Sequence, residues 1–106
     1  IPIRLYDVLS TSRTLMDHRK SVPYNVFCWS LASSFSRYLL ENKKIDSVFY
    51  IDSDIYFYQD PKLVFDEIGD KSIGIIKHRH NTSLSVDGEF NVGVVYFKNH
   101  AVIKNI

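Results

Sequence analysis

The sequence predicts an α/β domain in which helices cover a mainly parallel sheet. Two observations carry that prediction. Three short runs, Ser47 to Ile51, Ser72 to Ile76 and Asn91 to Phe97, are apolar almost throughout. Strands read this way when both of their faces are covered. The order along the chain is helix, strand, helix, strand, loop, strand, which is an α/β alternation. With 106 residues the chain is long enough for one small domain, 1–106, with a limited core. Its hydrophobic fraction of 45% and aromatic fraction of 14% place it among globular rather than disordered sequences.

The elements follow in order. Residues 1–9 mix apolar and polar side chains and set no period. Thr11 to Lys20 reads as a short helix or a mobile loop, with Arg13, His18, Arg19 and Lys20 as a solvated face. Pro23 ends that segment and biases Val22 to an extended conformation. From Tyr24 to Asn42 the pattern is helical, because Phe27, Leu31, Phe35, Tyr38 and Leu39 recur at three- and four-residue steps. Asn25 suits its N-cap and Asn42 its stop. Cys28 is expected to pack in the core, and Tyr24 and Trp29 to pack or line a cleft. After the first strand, Asp60-Pro61 is a helix start, with Asp60 as N-cap and Pro61 at the first helical position. Leu63, Val64 and Ile68 form that helix's buried side, Asp66 and Glu67 its solvent face, and Gly69 its C-terminal cap. Asn81 to Asp87 is a polar loop, and Asn99 would cap a further helix. The chain opens at Ile1 without a methionine and closes in what reads as an unfinished element. A piece of a longer protein is therefore expected.

Charge and cysteine usage exclude several classes. Thirteen basic residues face twelve acidic ones, which gives no electrostatic argument for nucleic acid or an acidic membrane. Cys28 is alone, so an internal disulfide is impossible and a reducing, cytoplasmic compartment is expected. No apolar stretch is long enough to span a membrane, and no signal-peptide pattern opens the chain. No serine–histidine–acid triad, Gly-rich phosphate loop or paired-cysteine zinc pattern is visible.

The chemistry concentrates at the ends of the apolar runs. Val48-Phe49-Tyr50-Ile51 is followed by Asp52-Ser53-Asp54. Strand alternation would point Asp52 and Asp54 the same way. Like charges held together are explained by a divalent cation, Mn²⁺ or Mg²⁺, set between them and a phosphate. The plain alternative is a polar turn after a strand. Lys77, His78, Arg79 and His80 could bind phosphate, though a solvated strand end is the simpler reading of each. Gly93 inside a strand marks close approach by a ligand or another backbone, and Asn91 can bond sugar hydroxyls; the plain alternative, a β-bulge or a tight packing site, is outweighed by the neighbouring Asp pair.

These residues resemble a known group. YIDSDIYFYQDPKLVFDEIG is similar to the nucleotide-diphospho-sugar transferases, in which an Asp-x-Asp ends a central strand and an Asp-Pro helix start follows. GEFNVGVVYFKN, from Gly88 to Asn99, is similar to the FNxGV strand of the glycogenin-like and lipopolysaccharide galactosyltransferase-like members. With FCWSLASSFSRYLL, the resemblance covers roughly residues 24–100. It implies a Rossmann-like three-layer sandwich, part of the glycosyltransferase A-type fold. It implies a glycosyltransferase that moves a sugar from a nucleotide diphosphate sugar to a hydroxyl of a carbohydrate or glycoconjugate acceptor. Asp54 would be the more direct metal ligand, with Asp52 assisting through the metal or the ribose. Asn91 would be the catalytic candidate facing donor sugar or acceptor, and Asp52, Asn91 and Gly93 the substrate-binding set. Family members are much longer, and a later histidine commonly completes their metal shell. His78, His80 and His100 do not sit in a matching motif, so the isolated chain is expected to be weak or inactive. Asp87 and Glu89 both remain open as the general base. The other reading is a catalytically inactive α/β module for assembly or carbohydrate binding, forming homo-oligomers through exposed strand edges.

Overall fold

The structure, a computed structural model, describes residues 2–78 and 88–99. The chain forms two compact units, Ile1–Ile45 and Asp46–Ile106. The first contains α1 (Leu5–Leu9), α2 (Arg13–Ser21) and α3 (Tyr24–Asn42). The second contains β1 (Ser47–Ile51), α4 (Lys62–Ile68), β2 (Ile73–Lys77) and β3 (Phe90–Lys98).

The first unit is built on the apolar stripe of α3. Phe27 is fully buried and packs in one cluster with Val8 and Leu9 of α1, Leu15 of α2 and Tyr38. Leu31, Phe35 and Leu39 pack against that cluster half-buried. Residues 1–9, which set no period, nonetheless hold the short α1. The segment from Thr11 is helix rather than loop, because the Ser12 hydroxyl accepts the Leu15 amide at 3.2 Å and satisfies an open N-terminal donor. Asn25 is not the N-cap of α3: Pro23 holds that position and Asn25 lies in the first turn. Tyr24 and Trp29 are exposed rather than packed.

The second unit corrects the predicted fold class. Its three strands form one sheet in the order β1-β3-β2, and β3 is antiparallel to both neighbours. The sheet is therefore not the mainly parallel sheet of a Rossmann-like three-layer sandwich. β1 and β2 do run in the same direction, with α4 between them in sequence. The nine-residue β3 is inserted between them and takes the hydrogen bonds of both. An apolar run has the same composition in either direction, so the prediction could not see the inversion.

One face of the sheet receives α4. Phe49, Tyr96 and Gly74 are direct cross-strand partners and so share a face. Phe65 of α4 lies 4.8 Å from the Phe49 ring and 6.1 Å from the Tyr96 ring, between centroids. A Cβ at Gly74 would come within 2.8 Å of the Ile68 side chain, so the missing side chain is what lets the helix sit so close. Pro61 rather than Asp60 holds the N-cap of α4, and the first helical position is Lys62; Asp60 stands one residue earlier, where its Oδ1 accepts the Lys62 amide at 2.8 Å. Gly69 ends it at φ 56°, a left-handed conformation that disfavours side chains. Leu63, expected inside, is exposed, and Phe65 makes the inward contacts instead.

Candidate functional site

β1 and β2 both end, and β3 begins, at the same end of the sheet, so Asp52, Lys77 and Phe90–Gly93 gather there. The pairing is irregular at that end. β2 advances one residue, from Ile75 to Ile76, while its partner on β3 changes from Val95 to Asn91. Val92, Gly93 and Val94 thus form a bulge without β2 partners. The Gly93 amide donates instead to Asn91 Oδ1 at 2.7 Å. An asparagine can satisfy a backbone donor two residues on, which suits it to a break in a ladder. On the other side, the Asp52 amide donates to the Gly93 carbonyl at 2.8 Å.

This geometry brings three of the four candidate residues together. A Cβ at Gly93 would lie 3.0 Å from Asn91 Oδ1 and 3.2 Å from Asp52 Oδ2. Glycine at this position is what leaves room for both side-chain oxygens. Asp52 is further fixed by Tyr50, whose hydroxyl donates to its Oδ1 at 2.6 Å. Strand parity places Tyr50 and Asp52 on one face, so this partner was readable in the sequence but was not singled out.

Asp54 is placed differently from the expectation. β1 ends at Ile51, and Asp52 to Ile55 form a turn closed by the Ile55 amide donating to the Asp52 carbonyl at 3.2 Å. Alternation therefore does not carry through to Asp54. Its carboxylate is exposed, and among the described residues it takes no hydrogen bond or ion pair. At the end of β2, Lys77 Nζ pairs with Glu89 Oε1 at 2.7 Å, on a largely exposed surface. The base candidate Glu89 is thus engaged by a cation. Arg79, His80, Asp87 and His100 lie outside the described residues, as do the Asn81 to Asp87 loop and the helix expected after Asn99. Among the described residues no group of three or more His, Cys, Asp or Glu could by itself hold a metal ion. No helix among them is long and apolar enough to cross a membrane.

The Tyr50–Asp52 contact has a measurable signature. The hydrogen bond to Asp52, then burial, then the Asp52 charge push the Tyr50 hydroxyl from 10.0 up to about 12. In the unfolded chain the phenol loses its proton earlier. Its stabilising contribution is therefore complete below pH 10 and is lost as pH rises through about 12. An alkaline titration of phenolate absorbance, wild type against Tyr50→Phe, is expected to show one extra tyrosine ionising near 12. A difference curve centred on the ordinary value would contradict the contact.

No known protein family, curated protein or solved structure matches this chain.

Proposed function

We propose that this end of the sheet is the diphosphate-binding end of a metal-dependent glycosyltransferase, of which the chain supplies a core piece. The observation that carries the reading is the meeting of Asp52 with Asn91 and Gly93, two segments distant in sequence that were singled out for the same chemistry.

The donor set suits a magnesium or manganese ion. Such ions prefer hard oxygen ligands and complete their shells with water and substrate phosphates rather than with a full protein cage. Asp54 offers an exposed, unengaged carboxylate as direct ligand. A bound ion would supply charge neutralisation for the diphosphate leaving group. The protein's own groups do the rest. Tyr50 occupies Asp52 Oδ1, so Oδ2 is the oxygen left to accept from a ribose hydroxyl or a water on the ion. Asn91 has its carbonyl oxygen engaged by the Gly93 amide, and its amide N–H donors can serve a sugar hydroxyl or phosphate oxygen. Gly93 keeps both side chains in register.

With two carboxylates alone, cation and donor must bind together. Calorimetry is expected to show a nucleotide diphosphate sugar binding only with manganese present, and Asp54→Asn is expected to weaken that binding about tenfold to a hundredfold, the loss of a charged contact. Binding indifferent both to metal and to this substitution would sink the proposal.

A further inference from the structure

We propose that Tyr56 and Tyr58 form a platform for a neutral sugar ring. The two are 75% and 91% exposed, so two large aromatic surfaces stand in water side by side. Adjacent exposed aromatic rings are a surface that a binding partner can use. Their rings lie 4.9 Å apart between centroids at 73°, which makes a floor and a wall.

The exposure belongs to an ordered segment. At one end the Ile55 amide closes the turn on the Asp52 carbonyl. In the middle Phe57 is half-buried, with its ring 6.4 Å from that of Phe49 on β1. At the far end Asp60 Oδ1 accepts the Lys62 amide at the start of α4. Phe57 faces inward, and the tyrosines on either side of it face out. The platform is therefore preorganised, which lowers the ordering cost of binding.

Charge selects the occupant. From Asp52 to Pro61 the chain carries three carboxylates and no basic residue. With no cation bound, that surround repels phosphates, acidic glycans and anionic lipid headgroups. It accepts hydrogen bonds from hydroxyl groups, and the tyrosine faces accept the C–H edges of a pyranose. A neutral hexose ring satisfies both. As the acceptor platform of the transferase the proposal rests on the reading given above; as a sugar-binding surface it does not.

The test uses the isotope-labelled chain without metal or nucleotide and follows backbone amide shifts. The probes are neutral hexose oligosaccharides (maltohexaose, cellohexaose and mannohexaose), a heparin hexasaccharide, and phosphatidylcholine vesicles. At least one neutral sugar is expected to shift the amides of Ile55 to Gln59. Joint replacement Tyr56→Ala and Tyr58→Ala is expected to weaken it about tenfold, and Tyr58→Phe to leave it nearly unchanged because the ring remains. The proposal is overturned by still amides from Ile55 to Gln59 with every neutral sugar. A stronger response to heparin or vesicles, or undiminished affinity in the double alanine variant, overturns it equally. Loss of metal-dependent donor binding elsewhere in the molecule would leave this result standing, so the two readings fail separately.

Discussion

Phe27→Ala is expected to destabilise the helical unit by about 3–5 kcal/mol, the range for emptying a large aromatic site in a core. Phe27 has no exposed surface, and the cluster around it draws on all three helices of the unit. A unit this small has a thin margin of stability, so that loss is a large share of the total. Denaturant unfolding followed by helical circular dichroism reads the effect. Trp29→Ala, on the same helix but 66% exposed, is the matched control and should cost about 0.5 kcal/mol or less. Equal costs for the two would contradict the assignment of the core.

Gly93→Val is expected to cost about 1–3 kcal/mol through overpacking and, more tellingly, to dismantle the sheet end. The first added carbon already meets Asn91 Oδ1 at 3.0 Å and Asp52 Oδ2 at 3.2 Å. Both neighbours must give way to the larger side chain, which strains the Asn91–Gly93 bond and the Tyr50–Asp52 bond. In the variant the late-ionising tyrosine should fall back toward its ordinary value, or the amide exchange of residue 93 should accelerate. A variant that keeps both signatures and its stability would show that the space at Gly93 is not what holds the site.

Much of this was legible in the residues, and the failures have physical causes. The stripe of α3 could be read because helix period survives in composition. Gly69 could be read because capping is local chemistry, whereas the N-cap of α4 falls on Pro61, one residue after Asp60. Gly93 is irregular for a strand, and the irregularity is the bulge at Val92 to Val94. Strand direction left no such trace, since it is decided by which distant strand supplies partners. Asp54 was misplaced because alternation was carried past Ile51, where the strand gives way to a turn. Tyr56 and Tyr58 follow a strand in a run of aromatic residues, and only the inward turn of Phe57 distinguishes them.

On the proposed reading, Asp54, Asp52 and the segment Asn91–Gly93 serve one cation and one diphosphate. Paramagnetic broadening by manganese tests it most directly, with a nucleotide diphosphate sugar present. The expected result is selective loss of the amide signals of Asp52 to Ile55 together with those of Asn91 to Gly93, absent in Asp54→Asn. Broadening confined to other carboxylates, or unchanged in that variant, would contradict the claim and leave the Asp-Ser-Asp segment as a turn that ends a strand.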